Sequence, residues 1–575
     1  RRSMPAASRS CRGISRARPR SRTNTRAFDW CRTSYGAGYA DVNESACPLE
    51  VTVNAPNLPE DLVGTYFRNG PGLFTRGGNT TNHPFDGDGF ITRITLPGDG
   101  TLSFRGDFVK TDAYVEEKRA NRRLYRNSFG TQRDGGPLAN AFDVTQKNIA
   151  NTNVLVWPTQ TQQDDETPKL LALWEAAQPH RLNPTTLETE GVDYINGLLR
   201  PGAPFGTGIP DLDRTLSEAG VGVGGKVLAA HPHVDPRDGR LVCCGTLVVP
   251  KNGSLATEVT FYELDKNLKP IETSTESLDS FILLHDFAFT DEYYIVAQSP
   301  LELKSFPFVL GFKGPGEPEC INFKSTGLTT LHLIPRPQAA RRRSLQRTSV
   351  QVPSCFIFHF VNAHQKDDKV IIDVVQTKSF SAWHPDRSLE ASFGGFHRGL
   401  ASGTREFLDS YFDVGDTGRL VRYDVDVASN SANVISPLSD RTVEFPRLND
   451  NQWSRSHRYA YVGASRHPTR AQPLQCWTKV DYSTVTTEGR VGEQVLYDAG
   501  EKGFVGEPTF VPRANTSGRE DDGYLIGMVF NGETLETDFV VVDARGGREA
   551  IVVNIPDIRL PLPALHGTYT RRVFL

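Results

Sequence analysis

The last fourteen residues, LPALHGTYTRRVFL (562–575), indicate how the fold of this chain is closed. Chain ends are usually frayed and polar, because they bury too little surface to be held in place. This one instead carries a Thr-Tyr-Thr run followed by Val-Phe, all of them strand-favouring residues. We therefore predict that the C terminus is a β-strand built into the core, with His566 at its start.

Short β-type runs, separated by Gly, Pro, Asn and Asp, fill most of the remaining sequence. Examples are DSFILLHDFAFTDEYYIVAQS (279–299), SCFIFHFVNAHQKDDKVIIDVVQT (354–377) and GYLIGMVFNGETLETDFVVVDA (523–544). Helical periodicity is clearest at 111–125 and 404–412. The pattern predicts an antiparallel, all-β protein with few helices.

Hairpin strands over about 500 residues exceed what a β-sandwich absorbs, whereas a β-propeller accommodates them by radial repetition. No WD or kelch motif recurs, so the propeller is favoured by elimination. In such a ring the last strand can complete a blade begun at the other end of the chain. That arrangement would direct His566 towards the central axis.

The charge is distributed unevenly along the chain. The first 32 residues hold ten arginines and one acid, Asp29, so the remainder is near −13 although the whole chain is −4. An acidic body argues against a phosphate-reading surface. The basic segment 1–47 is interpreted as a transit peptide, which implies a plastid location, or as a disordered tail of a cytoplasmic protein. No apolar run reaches the length of a membrane span, and the eight cysteines lack CxxC spacing, which favours reduced thiols.

Four of the thirteen histidines are embedded in apolar β-type sequence: His231, His285, His359 and His566. A buried imidazole costs free energy unless both nitrogens have partners. A metal on one nitrogen and a hydrogen-bond acceptor on the other would supply both. Separations of 54, 74 and 207 residues require distant strands to converge. A single such histidine is more often structural, so the structural and metal-binding interpretations both stay open at this point.

Nine motifs occur in an order that resembles one known family. They are GTYFRNGPG (64–72), HPFDGDGFI (83–91), NIANTNVLVW (148–157), AAHPHVDP (229–236), LLHDFAFT (283–290), FHFVNAH (358–364), VEFPRLN (443–449), GEPTFVPR (506–513) and LHGTY (565–569). Together they are similar to the carotenoid cleavage oxygenases, and the resemblance covers residues 48–575 as a single domain.

The resemblance implies a seven-bladed β-propeller with a non-haem Fe(II) ion on its axis. Its four ligands would be His231, His285, His359 and His566, whereas His233 and His364 fall at non-ligand positions. Three glutamates, Glu175, Glu444 and Glu507, would orient ligand imidazoles. The implied reaction is oxidative cleavage of a conjugated C=C bond of a carotenoid or apocarotenoid by O₂, giving two carbonyl products.

The resemblance also suggests how substrate would reach the iron. Trp174, Phe358, Phe445 and Leu565 adjoin the predicted site residues and would line an apolar tunnel, with ordinary core packing as the alternative. The stretch 299–312 would form an apolar patch that contacts a membrane surface, helped by Lys304 and Lys313; the alternative is a covered loop.

Two segments depart from the family pattern. Residues 196–225 are longer than the usual connection, and the Arg-rich stretch 338–350 is interpreted as a disordered insertion. Two other functions stay open beside carotenoid cleavage: cleavage of stilbene-type phenylpropenes on the same fold, and a metal-free propeller that binds carotenoid or a protein partner.

Overall fold

The computed structural model describes residues 30–158, 168–380, 382–413, 417–562 and 564–575. The Arg-rich part of the predicted N-terminal segment, residues 1–29, lies outside the described residues. In chain order the strands are β1 (Leu49–Asn54), β2 (Gly64–Leu73), β3 (Thr75–Arg76), β4 (Asn79–Thr80), β5 (Asp88–Leu96), β6 (Thr101–Phe108), β7 (Asn153–Trp157), β8 (Lys169–Leu173), β9 (His180–Leu182), β10 (Thr189–Val192), β11 (His233–Val234), β12 (Leu241–Lys251), β13 (Ser254–Leu264), β14 (Pro270–Leu278), β15 (Ala288–Phe289), β16 (Tyr293–Gln298), β17 (Leu301–Leu303), β18 (Ile321–Phe323), β19 (Leu328–Pro335), β20 (Thr348–Pro353), β21 (Phe356–Lys366), β22 (Lys369–Thr377), β23 (Arg419–Asp426), β24 (Ser431–Ile435), β25 (Val443–Arg447), β26 (Tyr459–Ser465), β27 (Leu474–Asp481), β28 (Gly492–Asp498), β29 (Gly503–Val505), β30 (Thr509–Pro512), β31 (Gly523–Asn531), β32 (Glu536–Asp543), β33 (Ile551–Ile555) and β34 (Gly567–Thr570).

The helices are short. They are α1 (Arg32–Ala37), α2 (Asp112–Ala120), α3 (Gly136–Asn140), α4 (Pro210–Glu218), α5 (Ser305–Val309), α6 (Pro337–Arg343), α7 (Arg387–Ser392), α8 (Phe396–Ala401), α9 (Arg405–Asp413) and α10 (Val485–Glu488). The two stretches predicted to be helical correspond to α2 and α9. Thr111 caps α2 by accepting a hydrogen bond from the Tyr114 amide, and Asn121 ends it in the left-handed conformation.

Within the described residues, seven antiparallel sheets of four or five strands form the blades of a propeller. Blade 1 is ordered β1-β6-β5-β2-β34, and blade 2 is β10-β9-β8-β7. Blades 3, 5 and 6 are simple meanders of β11–β14, β21–β24 and β25–β28, blade 4 is β15-β16-β19-β20, and blade 7 comprises β29–β33. The predicted all-β, seven-bladed propeller is confirmed.

A buried apolar cluster fills the interface between each pair of neighbouring blades. Blades 1 and 2 meet through Phe67 and Val154, and similar clusters follow in turn between blades 2 and 3, 3 and 4, 4 and 5, 5 and 6, and 6 and 7. Tyr66 and Phe539 belong to the cluster that joins blade 7 back to blade 1. Burying one large apolar side chain stabilises a fold by about 1.5–3 kcal/mol. Clusters at all seven blade interfaces therefore stabilise the closed ring.

The C-terminal strand completes blade 1, as predicted. β34 pairs antiparallel with β2, in a register that places Gly567 opposite Arg68 and Thr570 opposite Thr65. Beyond the strand, the amide of Phe574 donates to the Thr65 hydroxyl over 3.1 Å. The tail is thus held by hydrogen bonds, and β34 is the innermost strand of its blade.

The part of the N-terminal segment that the structure describes, residues 30–47, is folded. Helix α1 packs against the propeller: the Ser34 hydroxyl donates to the Gly532 carbonyl over 2.9 Å, and Gly36 lies so close to Gly403 that a side chain there would clash. Trp30 is buried in a cluster with α8 and α9. The disordered interpretation of segment 1–47 therefore does not hold for residues 30–47, which pack against the propeller.

The Arg-rich stretch 338–350 is also not a disordered insertion. Most of its first half is helix α6, and its end begins β20. Arg341 pairs with Glu272, Arg343 with Glu292 and Arg347 with Glu276, so the arginines neutralise acids on strands and turns of the propeller. The longer connection 196–225 contains α4, and its Phe205 bridges to Val248 of β12.

Candidate metal centre

The four predicted ligands lie at the propeller axis, each on or just before the innermost strand of its blade. His231 precedes β11, His285 precedes β15, His359 belongs to β21 and His566 precedes β34. One nitrogen from each of the four imidazoles lies within 4.8 Å of the others. Blades 1, 3, 4 and 5 each supply one donor, which is why the residues are so far apart in sequence.

The spacing of the nitrogens fits a bound cation. Nε2 of His285 is 3.0 Å from Nε2 of His231 and 3.1 Å from Nε2 of His359. The Nδ1 atoms of His285 and His359 face carboxylates, so their protons belong on Nδ1 and their Nε2 lone pairs point inward. Facing lone pairs repel one another unless a positive charge lies between them. The donor set therefore fits a metal ion that prefers imidazole.

Each of the three predicted glutamates lies against one of the imidazoles. Nδ1 of His285 lies 2.5 Å from Glu175, and Nδ1 of His359 lies 2.5 Å from Glu444. Nδ1 of His566 lies 2.9 Å from Glu507. Such carboxylates fix the tautomer and raise the basicity of the ligating nitrogen. Among the described residues, no carboxylate lies within ion-pair distance of His231.

The electrostatics favour ionised carboxylates around the imidazoles. Burial, reinforced by the neighbouring imidazoles, lowers the pKa of His231 well below its usual value. Burial opposes ionisation of Glu507, but Arg447 and His566 outweigh it and lower its pKa to about 2. Burial also opposes ionisation of Glu175 and Glu444, yet their histidine partners lower their pKa values. Burial opposes protonation of His359, but Glu444 outweighs it and raises the pKa of His359. Ionised carboxylates thus surround the four donors, which favours a cation at the centre.

A cavity of about 620 Å³ lies beside the centre, with Glu444, Phe445 and Leu565 in its wall. Phe445 has a left-handed backbone (φ 52°) at an irregularity in the pairing of β25 with β26. This conformation costs about 1–3 kcal/mol and is typical of functional sites. It places the Phe445 ring 5.9 Å from that of His359 and 5.5 Å from that of His566.

Two of the four predicted tunnel residues, Phe445 and Leu565, line this cavity, and the other two are not part of its lining. Trp174 is buried against Ile149 and Ala177. Phe358 packs on the His285 ring at 5.6 Å and on Phe380, which does line the cavity. Trp174 is thus packed in the core, the alternative considered above, and Phe358 supports the ligand His285.

Comparison with known proteins identifies the family of this chain. Residues 39–571 match the family described as retinal pigment epithelial membrane protein (RPE65). The chain belongs to this family. It is the carotenoid oxygenase family that the motifs resemble, and the match includes the part of the 1–47 segment from residue 39 onward.

Several members of the RPE65 family have known activities. The apocarotenoid-15,15′-oxygenase of Synechocystis is 34% identical over 519 residues, which is 90% of this chain and 92% of that protein. The chloroplastic carotenoid cleavage dioxygenase 7 of Oryza sativa subsp. japonica is 28% identical, covering 88% and 85% of the two chains. Resveratrol cleavage oxygenase 1 of Aspergillus fumigatus is 25% identical, covering 89% and 90%. A crystal structure of cobalt-substituted Synechocystis ACO superimposes with a TM-score of 0.76 at 32% identity, covering 94% of this chain and 99% of that one.

In this RPE65-family chain, Thr152, Asn153 and Asn69 form hydrogen bonds that position the ligand-bearing segments. These three residues were not predicted from the sequence. The Thr152 hydroxyl donates to Glu175 over 3.1 Å, and its carbonyl accepts from the His566 amide. Asn153 donates to the Ala230 carbonyl beside His231 over 2.7 Å. The backbone carbonyl of Asn69 accepts a hydrogen bond from the Leu565 amide, and the backbone amide of Asn69 donates one to the His566 carbonyl. Their positions inside the quoted motifs, among apolar strand residues, were the available signal.

His233 and His364, which the motifs place at non-ligand positions, have other partners among the described residues. His233 lies 3.1 Å from Asp286 and stacks on Trp453 with ring centroids 4.0 Å apart. Asp286 also accepts a hydrogen bond from the Phe360 amide next to His359. His364 packs against His457. These residues support the strands that carry the ligands.

Proposed function

We propose that this protein is a non-haem Fe(II) dioxygenase that cleaves a conjugated C=C bond of a carotenoid or apocarotenoid. One molecule of O₂ is consumed, both bonds between the two carbons are broken, and each carbon receives one oxygen atom as a carbonyl. The four histidines would hold the iron. Its named relatives at 34% and 28% identity, an apocarotenoid oxygenase and a carotenoid cleavage dioxygenase, support this assignment.

The observation that carries the proposal is the position of the four-imidazole centre beside a cavity lined by many aromatic residues. A hydrocarbon polyene has no atom that ligates iron, so it must be held beside the metal by shape. Phe445 and Leu565 adjoin ligand-bearing segments and line the cavity, so a chain lying against them is close to the centre. An active site enclosed in this way excludes water from the reacting bond.

Iron, when bound, would supply the redox chemistry with O₂ at coordination positions that the histidines leave open. The residues of the chain supply orientation. Glu175, Glu444 and Glu507 hold the imidazoles, and Thr152 holds Glu175 in turn. No proton transfer is required for carbonyl formation, which agrees with the use of these carboxylates as hydrogen-bond acceptors for histidine.

The test is metal analysis followed by substrate turnover. Purified protein is expected to contain about one iron per chain and to consume O₂ when given β-carotene, zeaxanthin or an apocarotenal, with two carbonyl products resolved by chromatography. Iron-free protein that cleaves these compounds would contradict the proposal. Turnover of resveratrol in preference to every polyene would instead support the stilbene-type alternative, which the relative at 25% identity represents.

We further propose that a membrane surface delivers the substrate. Phe306 and Phe312, within the predicted patch 299–312, are 73% and 58% exposed, and Leu138 and Phe142 beside them are 94% and 77% exposed. The Phe142 amide donates to the Val309 carbonyl, so the two loops form one apolar face. Lys304 is exposed, whereas Lys313 pairs with Glu317 and Glu319. Among the described residues no helix is long and apolar enough to cross a bilayer, so contact would be peripheral.

We also propose a plastid location. The Arg-rich composition of residues 1–29 supports it, and the carotenoid cleavage dioxygenase 7 relatives from rice and Arabidopsis thaliana are named as chloroplastic. Microscopy of the full chain fused to a fluorescent protein tests this proposal, with cytoplasmic fluorescence as the contradicting result.

A further inference from the structure

The cavity carries a pair of tyrosine hydroxyls that the proposed cleavage reaction does not use. Tyr35 and Tyr39, called the tyrosine pair below, line the cavity together with Phe380, Phe412 and Phe504. Their hydroxyl oxygens are 2.9 Å apart, and Tyr39 donates to Tyr35. Both residues come from the N-terminal segment before blade 1, and no motif connected them with the centre.

The tyrosine pair is held rigidly. The Tyr35 ring makes edge contacts with Trp30, Phe412 and Phe504, with centroids 5.1–5.7 Å apart. The carbonyl of Tyr39 lies 3.2 Å from Nε2 of His397, which fixes its backbone. Helix α1, which contains Tyr35, is anchored through Ser34 and Gly36 as described above. Rigid aromatic side chains with a polar tip lose little entropy when they bind a ligand.

The hydrogen bonding within the pair is incomplete. Tyr39 donates its only hydroxyl hydrogen to the Tyr35 oxygen. Tyr35 therefore acts as the acceptor in this bond, and its own hydroxyl hydrogen has no acceptor among the described residues. Burial raises the pKa of both tyrosines, so both are neutral hydroxyls. A donor facing an apolar cavity is costly unless a ligand or water satisfies it. A purely hydrocarbon ligand would displace water and leave this donor unpaired.

The pair is also placed to act on a ligand that reaches the metal. Phe504, which contacts Tyr35, lies three residues before Glu507, the partner of His566. Phe504, Val505 and Gly506 all line the cavity between these two features, as do Phe445 and Leu565 at the centre. A single elongated ligand in the cavity would therefore lie against the centre and also approach the tyrosine pair.

We propose that the tyrosine pair binds an oxygen-bearing end of the substrate, so that this enzyme selects hydroxylated polyenes over the corresponding hydrocarbons. Tyr35 donates to the ligand oxygen, and the Tyr39 oxygen accepts from a ligand hydroxyl. This inference rests on the proposed function, which identifies the ligand as a polyene substrate. It makes Tyr35 and Tyr39 specificity-determining residues.

The test compares β-carotene with zeaxanthin, which has the same polyene and a hydroxyl on each ring. The wild-type protein, Tyr35→Phe and Tyr39→Phe are compared with Tyr194→Phe, a control that is 38% exposed and absent from the cavity lining. Cleavage is measured as kcat/KM, and binding is measured separately by quenching of tryptophan fluorescence, since Trp383 lines the cavity. Iron content and thermal midpoint are recorded for every variant.

We expect Tyr35→Phe to lower kcat/KM and affinity for zeaxanthin about five- to tenfold, the effect of one neutral hydrogen bond, with less than a twofold change for β-carotene. Equal losses for both substrates at normal iron content would show that the tyrosine only packs, and unchanged values for both would show that it does not contact substrate; either result overturns the inference. If the wild-type protein binds zeaxanthin selectively and loses this selectivity in Tyr35→Phe without cleaving any polyene, the inference stands and the proposed function fails.

Discussion

Replacing Glu507 by glutamine tests whether the carboxylates hold the metal ligands. One oxygen of Glu507 lies 2.9 Å from Nδ1 of His566, and the other accepts from the Gly567 amide over 2.9 Å. Both partners are donors, so an amide in this place must present its NH₂ group to one of them. One charge-assisted hydrogen bond is lost, at a cost of about 1.5–3 kcal/mol. Since 1.4 kcal/mol is tenfold, we expect iron affinity to fall about 10- to 100-fold.

The assay is competition for Fe(II) against a chelator of known affinity, under anaerobic conditions. Glu533→Gln is the matched control, because Glu533 is an exposed carboxylate of the same blade that pairs with Lys502. O₂ uptake at saturating iron then separates lost binding from lost turnover. An iron affinity within twofold of the wild type for Glu507→Gln would refute the orienting role.

Four further outcomes are expected. His566→Ala should lose iron and keep its β-rich circular dichroism, and an iron-loaded, active variant would remove His566 from the centre. Phe445→Ala should keep one iron per chain but lower kcat/KM at least tenfold, since it removes the wall beside the ligands; a change only in iron content would contradict this. Phe306→Glu should reduce sedimentation with lipid vesicles while turnover of detergent-dispersed substrate is retained, and unchanged sedimentation would count against the patch. Burial raises the pKa of Asp86 to about 6 from an ordinary 3.8, so the folded state binds more protons than the unfolded state between these values. The free energy of unfolding of the wild type, measured relative to that of Asp86→Asn, should therefore fall by about 2 kcal/mol as the pH rises from 4 to 6. Urea titration of both proteins measures it, and a relative rise over this range would contradict the shift.

The strand content, the terminal strand and the four candidate histidines were accessible from sequence for a physical reason, whereas their assignment as metal ligands came from the family motifs. Alternating apolar runs and turn residues mark strands locally, and a histidine inside such a run needs a partner. The number of blades and the assignment of glutamates came only from the family motifs. Pairings such as His359 with Glu444 join strands of different blades, and no local pattern encodes them.

The wrong expectations share a different cause. The arginine-rich composition of 338–350 suggested disorder, but Arg341, Arg343 and Arg347 form ion pairs with glutamates of the propeller. The segment before residue 47 lacks strong periodicity, yet Trp30 and Tyr35 pack into the cluster with α8 and α9. Trp174 was expected in the tunnel, but it follows the end of β8 and packs against Ile149 and Ala177. For the arginines and the N-terminal segment, the deciding contacts are made with residues far away in the chain.

X-ray absorption spectroscopy at the iron edge of the purified protein tests the central claim most directly. The account predicts a ferrous ion with four imidazole nitrogens, no sulfur and no protein carboxylate in its coordination shell, and loss of polyene cleavage when that ion is removed. A shell that contains a carboxylate from Glu175, Glu444 or Glu507, or full activity in metal-free protein, would contradict it.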